Sequence, residues 1–119
     1  MVKTRAQRLK IKRVYDAPSR TDGTRVLVDR VWPRGMTKQQ AAVDVWLKEI
    51  APSTELRKWF GHEPSRWKEF QQRYRAELED NGEALDALRA QIRKGPVTLL
   101  FGARDEEHNN AVALLGYLQ

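Results

Sequence analysis

Arg104, Asp105, His108, Asn109 and Asn110 crowd into seven positions of the stretch LFGARDEEHNNA, residues 100–111. A guanidinium, a carboxylate, an imidazole and two carboxamides are groups that grip anions, move protons and orient polar ligands. Asp105 can cap a following helix by accepting backbone N–H bonds, and Glu106 and Glu107 suit the positive end of its dipole. Those two acids argue against a phosphate cradle at that helix start. Capping leaves Arg104 and the HNN run unexplained, because alanine or glutamate serves better in a first helical turn. Arg104, His108 and Asn109 are therefore candidates for a ligand site, with a polar network between loops as the alternative. Gly102 and Ala103 are small enough for a backbone or a ligand to come close.

Two further stretches carry related chemistry. DRVWPRG, residues 29–35, sets Arg30 and Arg34 on either side of Trp32. Arginine offers a planar fork matched to phosphate or carboxylate, and tryptophan offers a stacking face. The plainer possibility is that Asp29 pairs with Arg30 or Arg34 and that Trp32 is core. STELRKWFGHEPSRW, residues 53–67, adds Arg57, Lys58, Trp59 and His62. Trp59 is a second stacking candidate. His62 and His108 are candidates for general acid/base duty, since imidazole is the side chain that titrates near neutral pH. His62 also reads simply as a loop residue.

The two histidines lack HxxxH or HxH spacing, and the chain has no cysteine, so no metal site, disulfide or thiol nucleophile is expected. No Walker loop, GxGxxG or GxSxG is present, and no cofactor is expected. No apolar run reaches the roughly 20 residues of a membrane span, and the N-terminus lacks the apolar region of a signal peptide. A cytoplasmic protein without membrane contact is the expectation.

These groups need elements to position them. LKIKRVY alternates as a half-buried strand at 9–15, and TRVLVDRVW reads as a central strand at 24–32, broken by Pro33 and Gly35. A short helical turn at 37–41 and a strand at 43–49 follow, although Val43, Trp46, Leu47 and Ile50 also match a helix. Ser53 begins a helix at 54–60. Trp67, Phe70, Tyr74 and Leu78 share one face of the next helix, which opens at Pro64. Leu85, Leu88 and Ile92 stripe another, closed by Arg93, Lys94, Gly95 and Pro96. VTLLF at 97–101 is a buried strand, and EEHNNAVALLGYLQ returns as a helix.

This order predicts an α/β fold, a single-domain sandwich with a small, mainly parallel sheet flanked by helices. At 119 residues there is room for one core, placed at 9–119, with a basic N-terminal tail at 1–8. Parallel sheets bind ligands beyond the carboxyl ends of their strands. If the second and last strands run the same way, DRVWPRG and GARDEEHNN converge there.

Charge is uneven. Residues 1–34 hold ten Lys and Arg against three Asp, whereas residues 35–119 hold twelve against thirteen acids. Clustered positive charge draws phosphate-bearing partners.

VLVDRVWPRG, WLKEIAPSTELRKWFGHEPSRWKEFQQRY and KGPVTLLFGARDEEHNNA together resemble the YeaO-like branch of the bacterial domain of unknown function 488, over residue 9 to the C-terminus. The resemblance implies a small bacterial α/β protein and brings no activity with it. An AARD form is common in that family, and Gly102 departs from it. Three functions compete. The first is binding or turnover of a phosphate-bearing or nucleotide-like ligand where the three motifs meet. The second is a nucleic-acid-binding module using Lys3, Arg5, Arg8, Lys10, Lys12 and Arg13. The third is a protein-interaction or regulatory domain without a small-molecule site.

Overall fold

The computed structural model describes residues 8–119. Strand β1 is Leu9–Arg13, and Ser19 caps a short turn of 3₁₀ helix at Arg20–Asp22 that leads into β2, Thr24–Leu27. Helix α1, Lys38–Ala41, precedes β3, Val45–Trp46. Three helices follow: α2 (Thr54–Phe60), α3 (Trp67–Glu79) and α4 (Gly82–Lys94). Strand β4, Val97–Phe101, and helix α5, Asn110–Leu118, complete the chain.

The sheet order is β1-β4-β2-β3 and every pairing is parallel. The α/β sandwich expected from the element order is thus the observed fold. Strand β4 is buried at each of its positions, which is why VTLLF can be apolar throughout. Its side chains alternate between two cores. Val97, Leu99 and Phe101 face the larger one, where Leu56 and Phe60 of α2, Phe70 and Tyr74 of α3, Leu85 and Leu88 of α4 and Leu114 of α5 meet. Leu100 faces the smaller one with Val14, Leu27 and Ala41, backed by Trp32 and Met36. The four-residue spacing of Phe70, Tyr74 and Leu78 turns one stripe of α3 inward. Tyr74 is buried but satisfied, its hydroxyl donating to the Ile50 carbonyl at 2.6 Å.

Gly23 stands at φ +64°, and a Cβ there would lie 2.3 Å from the Pro96 carbonyl oxygen. That oxygen accepts the Thr24 N–H at 2.9 Å, so β2 starts against β4 only because residue 23 has no side chain.

Strand β1 ends at Arg13, short of Tyr15, and a 3₁₀ turn at Pro64–Arg66 precedes α3; three further elements differ from the sequence reading. Strand β2 stops at Leu27 and does not run to Trp32. Val28 N–H still reaches the Leu100 carbonyl at 3.1 Å, but Gly102 N–H then donates to the Asp29 carboxylate at 2.8 Å. A side-chain oxygen has taken the place of a ladder carbonyl, and the two strands part. The strand expected at 43–49 contracts to Val45–Trp46, because Lys48–Ile50 winds into a 3₁₀ turn. The last helix starts at Asn110, capped by Asn109, whose side chain accepts Val112 N–H at 2.9 Å. Asp105 instead turns the preceding loop, accepting from Glu107 N–H and His108 N–H at 2.9 and 3.0 Å.

The basic first third is largely spoken for. Lys3 and Arg5 lie outside the described residues. Lys12 meets the Asp22 carboxylate at 3.1 Å and Lys10 approaches it at 3.8 Å. Arg13 donates to the Ala103 carbonyl and Arg8 to the Ile92 carbonyl. Arg25, only 4% exposed, donates to Asp22 and to the carbonyls of Ala41 and Ala42.

Candidate functional site

Because β2 and β4 are parallel neighbours, the loops leaving their carboxyl ends start side by side, and a cleft of about 270 Å³ opens between them. Asp29 and Arg30 enter it after β2, Gly102, His108 and Asn110 after β4, and Ala51, Arg57, Phe60 and His62 from α2 and its flanks. The three polar stretches of the sequence therefore meet at one place. Phe60 and Phe70 supply an aromatic wall, stacked on each other at 4.5 Å between ring centroids.

Asp29 sits at the parting of the strands. One carboxylate oxygen accepts Gly102 N–H, and the other accepts the Asn110 side-chain amide at 3.1 Å. The same amide nitrogen donates to the Val28 carbonyl at 3.0 Å, which fixes the orientation of the Asn110 side chain. Burial pushes the Asp29 carboxyl above the ordinary carboxylate range, against the Asn110 and Gly102 hydrogen bonds and the positive charge of Arg57. Gly102 allows this approach, since a Cβ there would stand 3.2 Å from the Asp29 oxygen.

Arg30 and Asn109 reach the cleft with their polar ends engaged. Arg30 donates to the carbonyls of Ala51 and Pro52 at 3.1 and 3.4 Å and braces that loop. Neither Arg30 nor Arg34 pairs with Asp29; within ion-pair distance Arg30 finds Glu49, at 3.8 Å. Asn109 is buried, and besides capping α5 it donates to the Asp105 carbonyl at 2.9 Å. His108 holds Nδ1 2.9 Å from the Asp105 carboxylate and sets its ring edge on Trp67, with centroids 5.3 Å apart. The Glu107 N–H bond, and the His108 ring after it, hold Asp105 below the usual carboxylate range. His62 follows the left-handed Gly61 and is itself left-handed at φ +59°, a conformation uncommon for a residue with a side chain.

Arg57 is different from Arg30, the other arginine of the cleft. It is exposed, it lines the cleft, and among the described residues its guanidinium forms no ion pair.

Four residues singled out in the sequence do not line the cleft. Trp32 donates its indole N–H to the Met36 carbonyl at 2.8 Å and packs on Trp46. Arg34 is exposed, and its carbonyl accepts the Tyr15 hydroxyl at 3.0 Å. Trp59 lies under Arg73, whose guanidinium carbon is 4.3 Å from the ring centroid. Arg104 is exposed, one residue beyond Ala103. In their place stand Asp29, Arg57, Asn110 and the two phenylalanines. Asp29, Arg57 and Asn110 stand in the three polar stretches of the sequence, but nothing in residue type or spacing ranks them above their neighbours. The phenylalanines read as core, which they also are.

Among the described residues, no group of three or more His, Cys, Asp or Glu could hold a metal ion. No described helix is long and apolar enough to cross a membrane.

A family model described as "Inactive DUF488-N3 subclade" matches residues 8–119. The "Uncharacterized protein YeaO" of Escherichia coli (strain K12) is 43% identical over 111 residues, covering 93% of this chain and 96% of that protein. The "Uncharacterized protein Rv3073c" of Mycobacterium tuberculosis (strain ATCC 25618 / H37Rv) is 42% identical over 110 residues, 92% of each chain. No solved structure matches.

Proposed function

From the premise that this chain belongs to the DUF488 family, in its inactive N3 subclade, we propose that it is a binding module which holds a small phosphate-bearing, nucleotide-like ligand in the cleft without turning it over. The observation that carries this reading is the meeting of three polar stretches around one cleft lined by an exposed guanidinium, Arg57, that forms no ion pair among the described residues. A planar fork with its donors free suits a phosphate better than one already committed to carbonyls, as Arg30 is. Phe60, Phe70 and Ala51 give the ligand's apolar part a surface. His62 and His108 line the same space and supply further polar contacts. The family description favours binding over acid/base chemistry for both.

The internal pairing of Lys10, Lys12, Arg13 and Arg25 weighs for the cleft over a basic stripe along nucleic acid. The test is titration calorimetry with nucleoside monophosphates and sugar phosphates against wild type and Arg57→Ala. Binding by wild type and its loss in Arg57→Ala, with the unliganded melting temperature unchanged, is the expected result. Silence from every phosphate-bearing compound, or equal binding by the variant, sinks the reading.

A further inference from the structure

Two parts of the cleft lining have opposite chemistry. Arg57, exposed, is a donor with positive charge. Asp29 and Asn110 are half-buried, and what they leave unused are acceptors. An ionised carboxylate offers about four acceptor positions, and Gly102 N–H and the Asn110 amide take one on each oxygen of Asp29. Both Asn110 amide hydrogens are spent, on Val28 and on Asp29. Its carbonyl oxygen therefore has no partner among the described residues. No buried side-chain oxygen or nitrogen there lacks a partner, so this oxygen is open to solvent.

A wall that only accepts selects a ligand edge that only donates. Among the common nucleobases, adenine and cytosine place a ring acceptor beside their amino group, and uracil and thymine flank one ring N–H with two carbonyls. Guanine alone sets a ring N–H next to an amino group, two adjacent donors. Resting on the binding role proposed above, we propose that the cleft is selective for guanine nucleotides. The base edge donates to Asp29 and Asn110, and the phosphate lies at Arg57. The polarity sets the direction, because a phosphate beside the Asp29 carboxylate would be repelled. About 270 Å³ is below the size of drug-sized sites and suits one ring system with a short anionic arm.

The experiment is calorimetry on the full chain with GMP, IMP, AMP and ribose 5-phosphate, for wild type and Asp29→Asn. IMP keeps the ring N–H and lacks the amino group; AMP presents an acceptor where GMP presents a donor. GMP is expected to bind at least about tenfold more tightly than IMP or AMP. Asp29→Asn, which keeps an oxygen for Gly102, should erase that preference while ribose 5-phosphate still binds, at least as tightly as to wild type, because a repelling charge has been removed. Equal binding of GMP, IMP and AMP with ribose 5-phosphate still bound overturns guanine selectivity and leaves the anion site standing. Failure of all four, ribose 5-phosphate included, overturns both readings. Should Asp29→Asn not fold, the wild-type ranking of the three nucleotides decides.

Discussion

Asp22 and Asp29 flank the same strand, β2, and the protein treats them in opposite ways. Asp22, at the amino end, is 1% exposed, with Arg25 at 2.5 Å, Lys12 at 3.1 Å and its own N-cap backbone N–H from Ser19 at 3.0 Å. Burial alone would raise its pKa, but the Ser19, Lys12 and Arg25 hydrogen bonds outweigh it and hold the carboxyl below its ordinary range. Asp29, at the carboxyl end, has only neutral donors in contact, and burial wins. The first carboxylate is saturated and ties β1, β2 and the turn together. The second keeps acceptor capacity and faces a cleft. The difference teaches that a carboxylate reads as scaffold where cations and backbone N–H groups together fill its acceptor positions, and as a site where it is held short of that.

The largest effect should come from breaking the saturated end. Asp22→Ala strands the Arg25 guanidinium in the interior and should cost ~3 kcal/mol in urea unfolding. Asp29→Asn should cost about 1–2 kcal/mol, because an amide oxygen still accepts Gly102 N–H while its NH2 now faces the Asn110 amide instead of accepting from it. Equal losses from the two would dissolve the contrast.

The pH dependence of stability sharpens it. A depressed carboxyl contributes stability that is complete above the unfolded-state value, near 3.9, and is lost as pH falls through the lower folded value. Asp22 therefore belongs to the acid limb. A raised carboxyl does the reverse, so what Asp29 contributes is complete below the unfolded value and is lost as pH rises through the folded one. Asp29→Asn should flatten the profile above pH 4 and leave the acid limb intact. Melting temperatures from pH 3 to 8 would show this, and a flattened acid limb instead would reverse the assignment.

Gly102→Ala brings a Cβ to 3.2 Å from the Asp29 carboxylate and should lower stability by ~1 kcal/mol, since the oxygen must move by a few tenths of an ångström. A neutral result would mean that the parted strands have room to give. The smallest change should be Arg57→Gln, within about 0.5 kcal/mol in the unliganded protein because the side chain is exposed and unpaired. A larger loss would move Arg57 from the ligand to the scaffold.

Much of the fold was legible in local pattern. The stripe of α3, the cation-Gly-Pro end of α4 and the all-apolar β4 are each written in neighbouring residues, and the structure places them within a residue or two. Element order implied parallel strands, and parallel strands implied that the DRVWPRG and GARDEEHNN stretches would meet. The capping assignment failed because Asp105 and Asn109 are both good caps. What chose between them is where the loop must end for α5 to dock, a matter of packing and not of propensity.

The sequence by itself determined the fold class, the helices and the region where polar groups gather, because periodicity, caps and chain order act over short distances. Tertiary structure alone decided which of those groups are free. Whether an arginine is spent on a carbonyl, as Arg30 is, or left open, as Arg57 is, depends on partners 21 and 22 positions away in one case and on their absence in the other. The Asp29 carboxylate meets Gly102 across 73 positions, and only the completed sheet brings them to 2.8 Å.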